Sequence, residues 1–284
     1  MTEGRRQTMP DALRFSLSTF TTRSSFDMPK ISDIIGALEE YAPLVLQESY
    51  DNCGLQTGDA SRECTGAMLC VDPTPAVIAE AAVAGCNLVV SHHPLIFRGL
   101  KRLTGSTPVE QAVELSIRHG VAVYSLHTCL DNAPAGVSRR MAGMLGLERV
   151  EALDAASGGG AVGELAEPLA AEDFLREVKR VFGAPVVRHS VADGSRMVSR
   201  VALCGGSGAP MLPAALACGA DAMVTADVKY HDFADYGSRI LIADIGHFES
   251  EHCTIGIFTD IITKKFPNFA VRDSHVESNP VNYM

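Results

Sequence analysis

No apolar stretch in this 284-residue chain approaches the roughly 18 residues that a membrane-spanning helix needs; each hydrophobic run is short and is broken by Asp, Gly or Pro. A membrane span is therefore not expected. Residues 1–27 are rich in Ser, Thr and Arg and contain no continuous apolar segment, so they read as a disordered extension rather than a secretory signal. The eight cysteines form no Cys-x-x-Cys pair, and several lie inside apolar runs such as AMLCV and VALCG. They read as reduced core residues of a cytoplasmic protein. Basic residues are outnumbered, 24 Lys and Arg against 34 Asp and Glu, and the formal net charge is −10. That balance disfavours nucleic acid and anionic membranes and favours a small polar substrate.

What is present is an ordinary globular composition, 46% hydrophobic and 20% charged, long enough to bury a sizeable core. Ile31 to Ala42 carries apolar residues at helical spacing and stops before Pro43. Six short β-rich runs follow, GAMLCVD, NLVVSHH, VAVYSLH, RVALCG, DAMVTAD and RILIADIGH, alternating with helical stretches. This alternation predicts an α/β fold of mainly parallel or mixed sheets. The chain also repeats itself. Cys70 to Gly85 and Cys204 to Gly219 have the same spacing, and the same overlay sets His93 on Asp227. Each half then offers a strand ending in His with a carboxylate four residues on, His127 with Asp131 and His247 with Glu251. With a Gly-rich segment at 157–160 near the join, the expectation is two similar α/β lobes, 28–150 and 151–284, with a cleft between them.

The chemistry points to metal. Adjacent histidines in SHHP leave a strand end, where irregular backbone lets both rings turn into one pocket, and GHFESE places His247 and Glu251 one helical turn apart. Imidazole nitrogen and carboxylate oxygen together suit divalent cations of borderline softness, and a two-metal site needs a carboxylate to offset concentrated charge. Singly, each His or acid would more often be a capping or surface residue. Five of the nine histidines, 92, 93, 127, 231 and 247, follow strand-like runs with acids nearby, and that concentration favours a site. His92, His93, Asp131, His247 and Glu251 are the candidate ligands of two divalent ions, Zn, Fe, Mn, Co or Ni. His127 and His231 are candidate proton carriers. The GGSG at 205–208 lacks the Lys-Ser/Thr of a phosphate loop and signifies only a tight turn.

From about Met28 onward the motifs ESYDNCGLQTGD, SHHPLIF, HTCLD, CGGSG, GADAMVTADVKYHD and GHFESE resemble, in order and spacing, those of the Nif-three-like family, the type 2 homologues of GTP cyclohydrolase I. By position, the resemblance assigns the metals to His92, His93, Asp131, His247 and Glu251, with Asp131 or Glu251 bridging. It also implies a two-lobed fold, a ring-shaped homohexamer and metal-dependent hydrolysis of a purine nucleotide such as GTP. Arg98, Lys101, Arg102 and Lys229 are the nearest cations for its phosphates. The alternative is a non-enzymatic metal-binding or protein-interaction assembly. Tyr50, Cys129 and Ala226 stand where the family usually has Trp, Asn and Gly, and the last two adjoin the expected pocket.

Overall fold

The computed structural model describes residues 28–190, 195–277 and 279–284; the extension expected over 1–27 lies outside them. Helix α1 (Ile31–Tyr41) occupies the stretch of helical spacing and buries Ile31, Ile34 and Leu38. The chain then lays down β1 (Gly54–Thr57), β2 (Ala67–Cys70), α2 (Pro75–Val83), β3 (Leu88–Ser91), α3 (Pro108–His119), β4 (Ala122–Ser125), α4 (Thr128–Asp131) and α5 (Val137–Met144). The crossover helices α2 and α3 start alike. Thr74 and Thr107 accept hydrogen bonds from the backbone three residues on, and Pro75 and Pro108 take the first helical position, where a missing N–H costs nothing. There follow β5 (Glu148–Glu151), β6 (Ala161–Ala170), α6 (Ala171–Val181), β7 (Arg188–His189), β8 (Met197–Leu203), α7 (Leu212–Ala217), β9 (Ala222–Thr225), α8 (Tyr230–Tyr236), β10 (Leu241–Asp244), α9 (His247–Glu251), α10 (Thr254–Lys265) and β11 (Val271–Asp273).

Two mixed sheets result, ordered β1-β4-β3-β2-β11 and β5-β6-β8-β9-β10-β7. In each, three parallel strands run side by side in chain order, β2-β3-β4 and β8-β9-β10, and an antiparallel strand edges the third, β1 on β4 and β7 on β10. The repeated spacing in the sequence is thus a repeated topology, down to a helix, α1 or α6, before each edging strand. The sheets do not divide at residue 150, however. β5 straddles that point in the second sheet, while α10 packs on α1 and β2 and returns the chain to the first, where β11 pairs in parallel with β2.

The pleat explains how both sheets are covered. Ala67 and Leu69, Leu88 and Val90, Ala122 and Tyr124 face one way and join Val201, Leu203, Ala222, Val224, Leu241 and Ala243 in a single core between the sheets, shared with α1, α5, α6 and α10. The alternate residues face outward. Met68, Val89 and Val123 pack under α2 and α3, and Ala202, Met223 and Ile242 under α7. Burying one such aliphatic side chain is worth about 1.5–3 kcal/mol, so strands with both faces apolar are held firmly between helical layers. Among the described residues no helix is long and apolar enough to cross a membrane.

Candidate metal centre

The carboxyl ends of the parallel strands, where ligands of open α/β sheets bind, carry the residues at issue. His92 and His93 follow β3, His127 precedes α4 after β4, Asp131 ends α4, and His247 and Glu251 begin and end α9 after β10. These elements bring all five candidate ligands together. His93 Nε2 and His247 Nε2 are 3.3 Å apart, and both meet Glu251 Oε2, at 2.9 and 3.0 Å. On the other side of the same carboxylate, His92 Nε2 lies 3.6 Å from Glu251 Oε1 and 3.8 Å from Asp131 Oδ1. Around a cation bound at about 2.0–2.1 Å, tetrahedral ligand atoms stand roughly 3.4 Å apart, so these separations match a ligand shell. Glu251 offers one oxygen to each cluster. His127 stands beside them, its ring 5.3 Å from those of His92 and His93, and these three imidazoles form a metal-capable group of their own.

Each imidazole is aimed by its other nitrogen. Nδ1 of His93 is 2.8 Å from Asp72, that of His247 2.8 Å from Asp227, that of His127 2.8 Å from Asp51, and that of His92 3.0 Å from the Leu126 carbonyl. An Nδ1–H donated to an oxygen leaves the Nε2 lone pair for a cation, as in metal sites whose histidines are oriented by carboxylates. Two buried atoms at the convergence, His92 Nε2 and Asp131 Oδ1, have no hydrogen bond. Buried polar atoms without partners are costly, and these two face each other beside Glu251 Oε1; the residues fit divalent cations.

The electrostatics say the same. Burial opposes protonation of His93, yet Asp72 and Glu251 outweigh it and bring its pKa up to about 10. Glu251, with Asp227 behind the ring, raises His247 to about 9 against the effect of burial. Burial likewise opposes ionisation of Glu251, but the His92, His93 and His247 rings hold its carboxyl well below the usual range. Asp131 is raised to about 7 by burial and by repulsion from Glu251. In the metal-free molecule, protons on imidazole stand in for the cations.

The turn Gly205–Gly208 is more than a tight turn. Gly206 has a φ of +61°, and a Cβ there would drive into Glu251 Oε1. Its N–H donates to Ser250 Oγ (2.9 Å), which donates to the His247 carbonyl (2.8 Å) and so secures α9. A Gly206→Ala variant is expected to lose about 1–3 kcal/mol in a denaturant titration and to bind metal more weakly, because the left-handed backbone and the Glu251 contact both reject a methyl group. Asp227, which steadies His247, itself sits in the left-handed region at φ +55°, tied to Ser207 Oγ at 2.5 Å. Such strain gathers at functional sites.

His231 lies elsewhere: it is exposed on α8, its ring edge-on to Tyr230 at 5.3 Å, outside both metal-capable clusters. The helical stretch that begins at His247 is two helices, α9 and α10, separated by a tightened turn in which Ile255 N bonds the His252 carbonyl. Cys129 and Ala226 are core residues rather than pocket walls. Burial pushes the Cys204 and Cys253 thiols up to about 12, which keeps them protonated and poor ligands. Asp51 and Asp72 carry no metal-site signal of their own in the sequence beyond their places in ESYDNCG and at the end of GAMLCVD.

The model of the family Duf34/NIF3 (NGG1p interacting factor 3) matches residues 29–280. A protein of Lactococcus lactis named GTP cyclohydrolase 1 type 2 homolog is 34% identical over 254 residues, covering 88% of this chain and 98% of that one. A Clostridium perfringens protein of the same name is 33% identical over 228 residues, covering 78% and 87%. Among solved structures, a hypothetical protein of Staphylococcus aureus superposes with a TM-score of 0.83 at 27% identity, over 91% of this chain and all of that one. A Bacillus cereus protein related to NIF3 gives 0.82 at 21% identity over the same shares and supports the fold. The chain belongs to the Duf34/NIF3 family.

Proposed function

We propose that this protein holds two divalent cations and is a metal-dependent hydrolase of the type 2 GTP cyclohydrolase kind, acting on a purine nucleotide. One observation carries the reading: three imidazoles, each fixed through Nδ1, direct Nε2 to the two sides of a single buried carboxylate, and a fourth, His127, stands beside two of them. His93, His247 and Glu251 would hold one ion, and His92, Asp131 and Glu251 the other. When bound, such ions supply Lewis acidity toward the substrate and toward water. His127 is the proton carrier, because Asp51 orients its ring through Nδ1 and the ring stands beside those of His92 and His93. Asp51 is fit for this. Burial opposes its ionisation, but hydrogen bonds from His127 and Thr128 hold it far below the usual carboxylate range.

Recognition is assigned to the loop between β3 and α3. The exposed Phe97 ring stands edge-on to His127 at 6.1 Å and walls the mouth of the centre, where a planar base would lie. Arg98, Lys101 and Arg102 follow it, all exposed, and among the described residues none is in an ion pair. Three unneutralised cations within five residues of an acidic chain favour phosphate.

Incubation of metal-loaded protein with GTP is expected to release formate. Absence of turnover with Zn, Mn, Fe, Co and Ni alike would sink the enzymatic reading and leave a non-enzymatic metal-binding protein. A His93→Ala variant is expected to lose one of two bound ions after dialysis. Full metal content in that variant, measured by elemental analysis, would contradict the ligand assignment.

A further inference from the structure

The segment after β11 crosses the open end of both sheets. Pairing of β11 with β2 reaches Asp273 opposite Leu69, and Ser274 N adds one more bond to the Leu69 carbonyl at 3.0 Å. Beyond that point β2 has no strand neighbour on this side, so the N–H groups of Val71 and Asp72 need another acceptor. Glu277 provides it: its Oε1 accepts from Val71 N at 2.8 Å and from Asp72 N at 2.6 Å. Burial raises the pKa of Glu277, and the hydrogen bonds it accepts from the Asp72 and Val71 backbone oppose that shift. The segment is pinned on its near side by Glu80 of α2, which accepts from Ser274 Oγ at 2.6 Å and His275 N at 3.0 Å.

Two residues past Glu277 the chain has reached the other sheet. Asn279 Nδ2 donates to Glu249 Oε1 at 2.9 Å, in the middle of α9, and the other oxygen of Glu249 folds over Gly246, immediately before His247. Glu277 thus seats the backbone of Asp72, whose side chain holds His93 at 2.8 Å, while Asn279 steadies the helix that carries His247 and Glu251. We infer that the C-terminal segment is a strap whose Glu277 and Asn279 position the two halves of the metal centre against each other, setting the affinity of the ion shared by His93 and His247. These are positioning residues; neither touches the ligand atoms. The inference rests on the two-metal reading above.

Stepwise Co²⁺ binding, followed by the visible absorption of the bound ion and by competition with a chelator, separates the two ideas. Wild-type protein is expected to take two ions; fewer than two would overturn the metal reading itself. With two ions bound by the wild type, Glu277→Ala is expected to weaken one step by roughly 10–100-fold, the usual effect of losing an outer support, and to alter one of the two spectral components. Glu277→Gln keeps an acceptor oxygen and is expected to recover most of that affinity. Glu277→Asp keeps the charge but falls short of the two N–H groups, and gives the same comparison where the alanine variant does not fold. Binding by Glu277→Ala or Glu277→Asp that matches the wild type in both steps and in spectrum would overturn the strap.

Discussion

Replacement of Glu251 by Ala is expected to remove both metal ions, not one. Glu251 is the carboxylate that faces both proposed ions: Oε1 lies toward His92, and Oε2 lies between His93 and His247. Losing an outer support of a ligand costs roughly 10–100-fold in affinity, and losing a bridging ligand should exceed that at each ion. The fold should suffer as well. In the metal-free protein the variant leaves charged imidazoles facing a void, and breaking a buried pair costs about 3–5 kcal/mol. The lower end applies, because the side chain of His247 is 36% exposed and water can reach it. Glu251→Gln separates charge from volume. It keeps the volume without the charge, and is expected to fold better than Glu251→Ala and still to bind fewer than two ions, since a neutral amide offers one oxygen and one donor where two acceptors are needed. Elemental analysis after dialysis and thermal unfolding of the metal-free forms read the two effects separately. Two ions held by Glu251→Gln at wild-type affinity would refute the bridging role.

Much of this centre was legible in the sequence, for a physical reason. Strands buried on both faces must be apolar throughout, so polar residues at their carboxyl ends stand out: His92 and His93 after LVVS, His127 after AVYSL, His247 after LIADIG. The two-residue period of a strand and the four-residue span of a helical turn are enough to nominate five candidate ligands. The orienting residues were harder to find, because Asp72, Asp51 and Asp227 act through hydrogen bonds formed only when distant strands assemble. Asp51 is 76 residues from His127, and no local pattern links them. His231 misled because it shares the strand-then-His pattern; yet α8 turns it to solvent, where a lone His is an ordinary surface residue. Gly206 looked like punctuation, and only the packed structure reveals which side chain its missing Cβ makes room for. The topology was readable as far as the repeat ran. What spacing could not reveal was that β11 leaves the second half and joins the first sheet, since a three-residue strand carries little pattern of its own.

The metal-free protein is expected to lose thermal stability as pH rises from about 6.5 to about 9 or 10, while the metal-loaded protein does not. His93 and His247 bind protons more tightly when folded, near 10 and 9, than an unfolded histidine does at about 6.5. Below about pH 6.5 both states are protonated at these rings and their contribution is fully present. Above it the native state holds more protons than the unfolded state, so stability falls with each increment of pH until the folded pKa values are passed. Asp131, raised to about 7, acts in the same direction between about pH 4 and 7, because ionising it beside Glu251 is unfavourable in the fold. Glu251 acts oppositely but at lower pH: its depressed pKa contributes stability above the unfolded carboxylate range and loses it only on acidification. Metal reverses the high-pH trend, because a cation requires the neutral imidazole and the carboxylate, and deprotonation then favours the loaded fold. Loading at pH 7 should accordingly release about two protons per chain from His93 and His247, with a fraction more from Asp131. Calorimetric titration with metal in buffers of different ionisation enthalpy counts them, and melting curves from pH 6 to 10 test the slope. A metal-free melting temperature that rises across that range, or metal binding without proton release, would mean that these imidazoles are neutral before metal arrives and that the close approach of Glu251 to their Nε2 atoms has another cause.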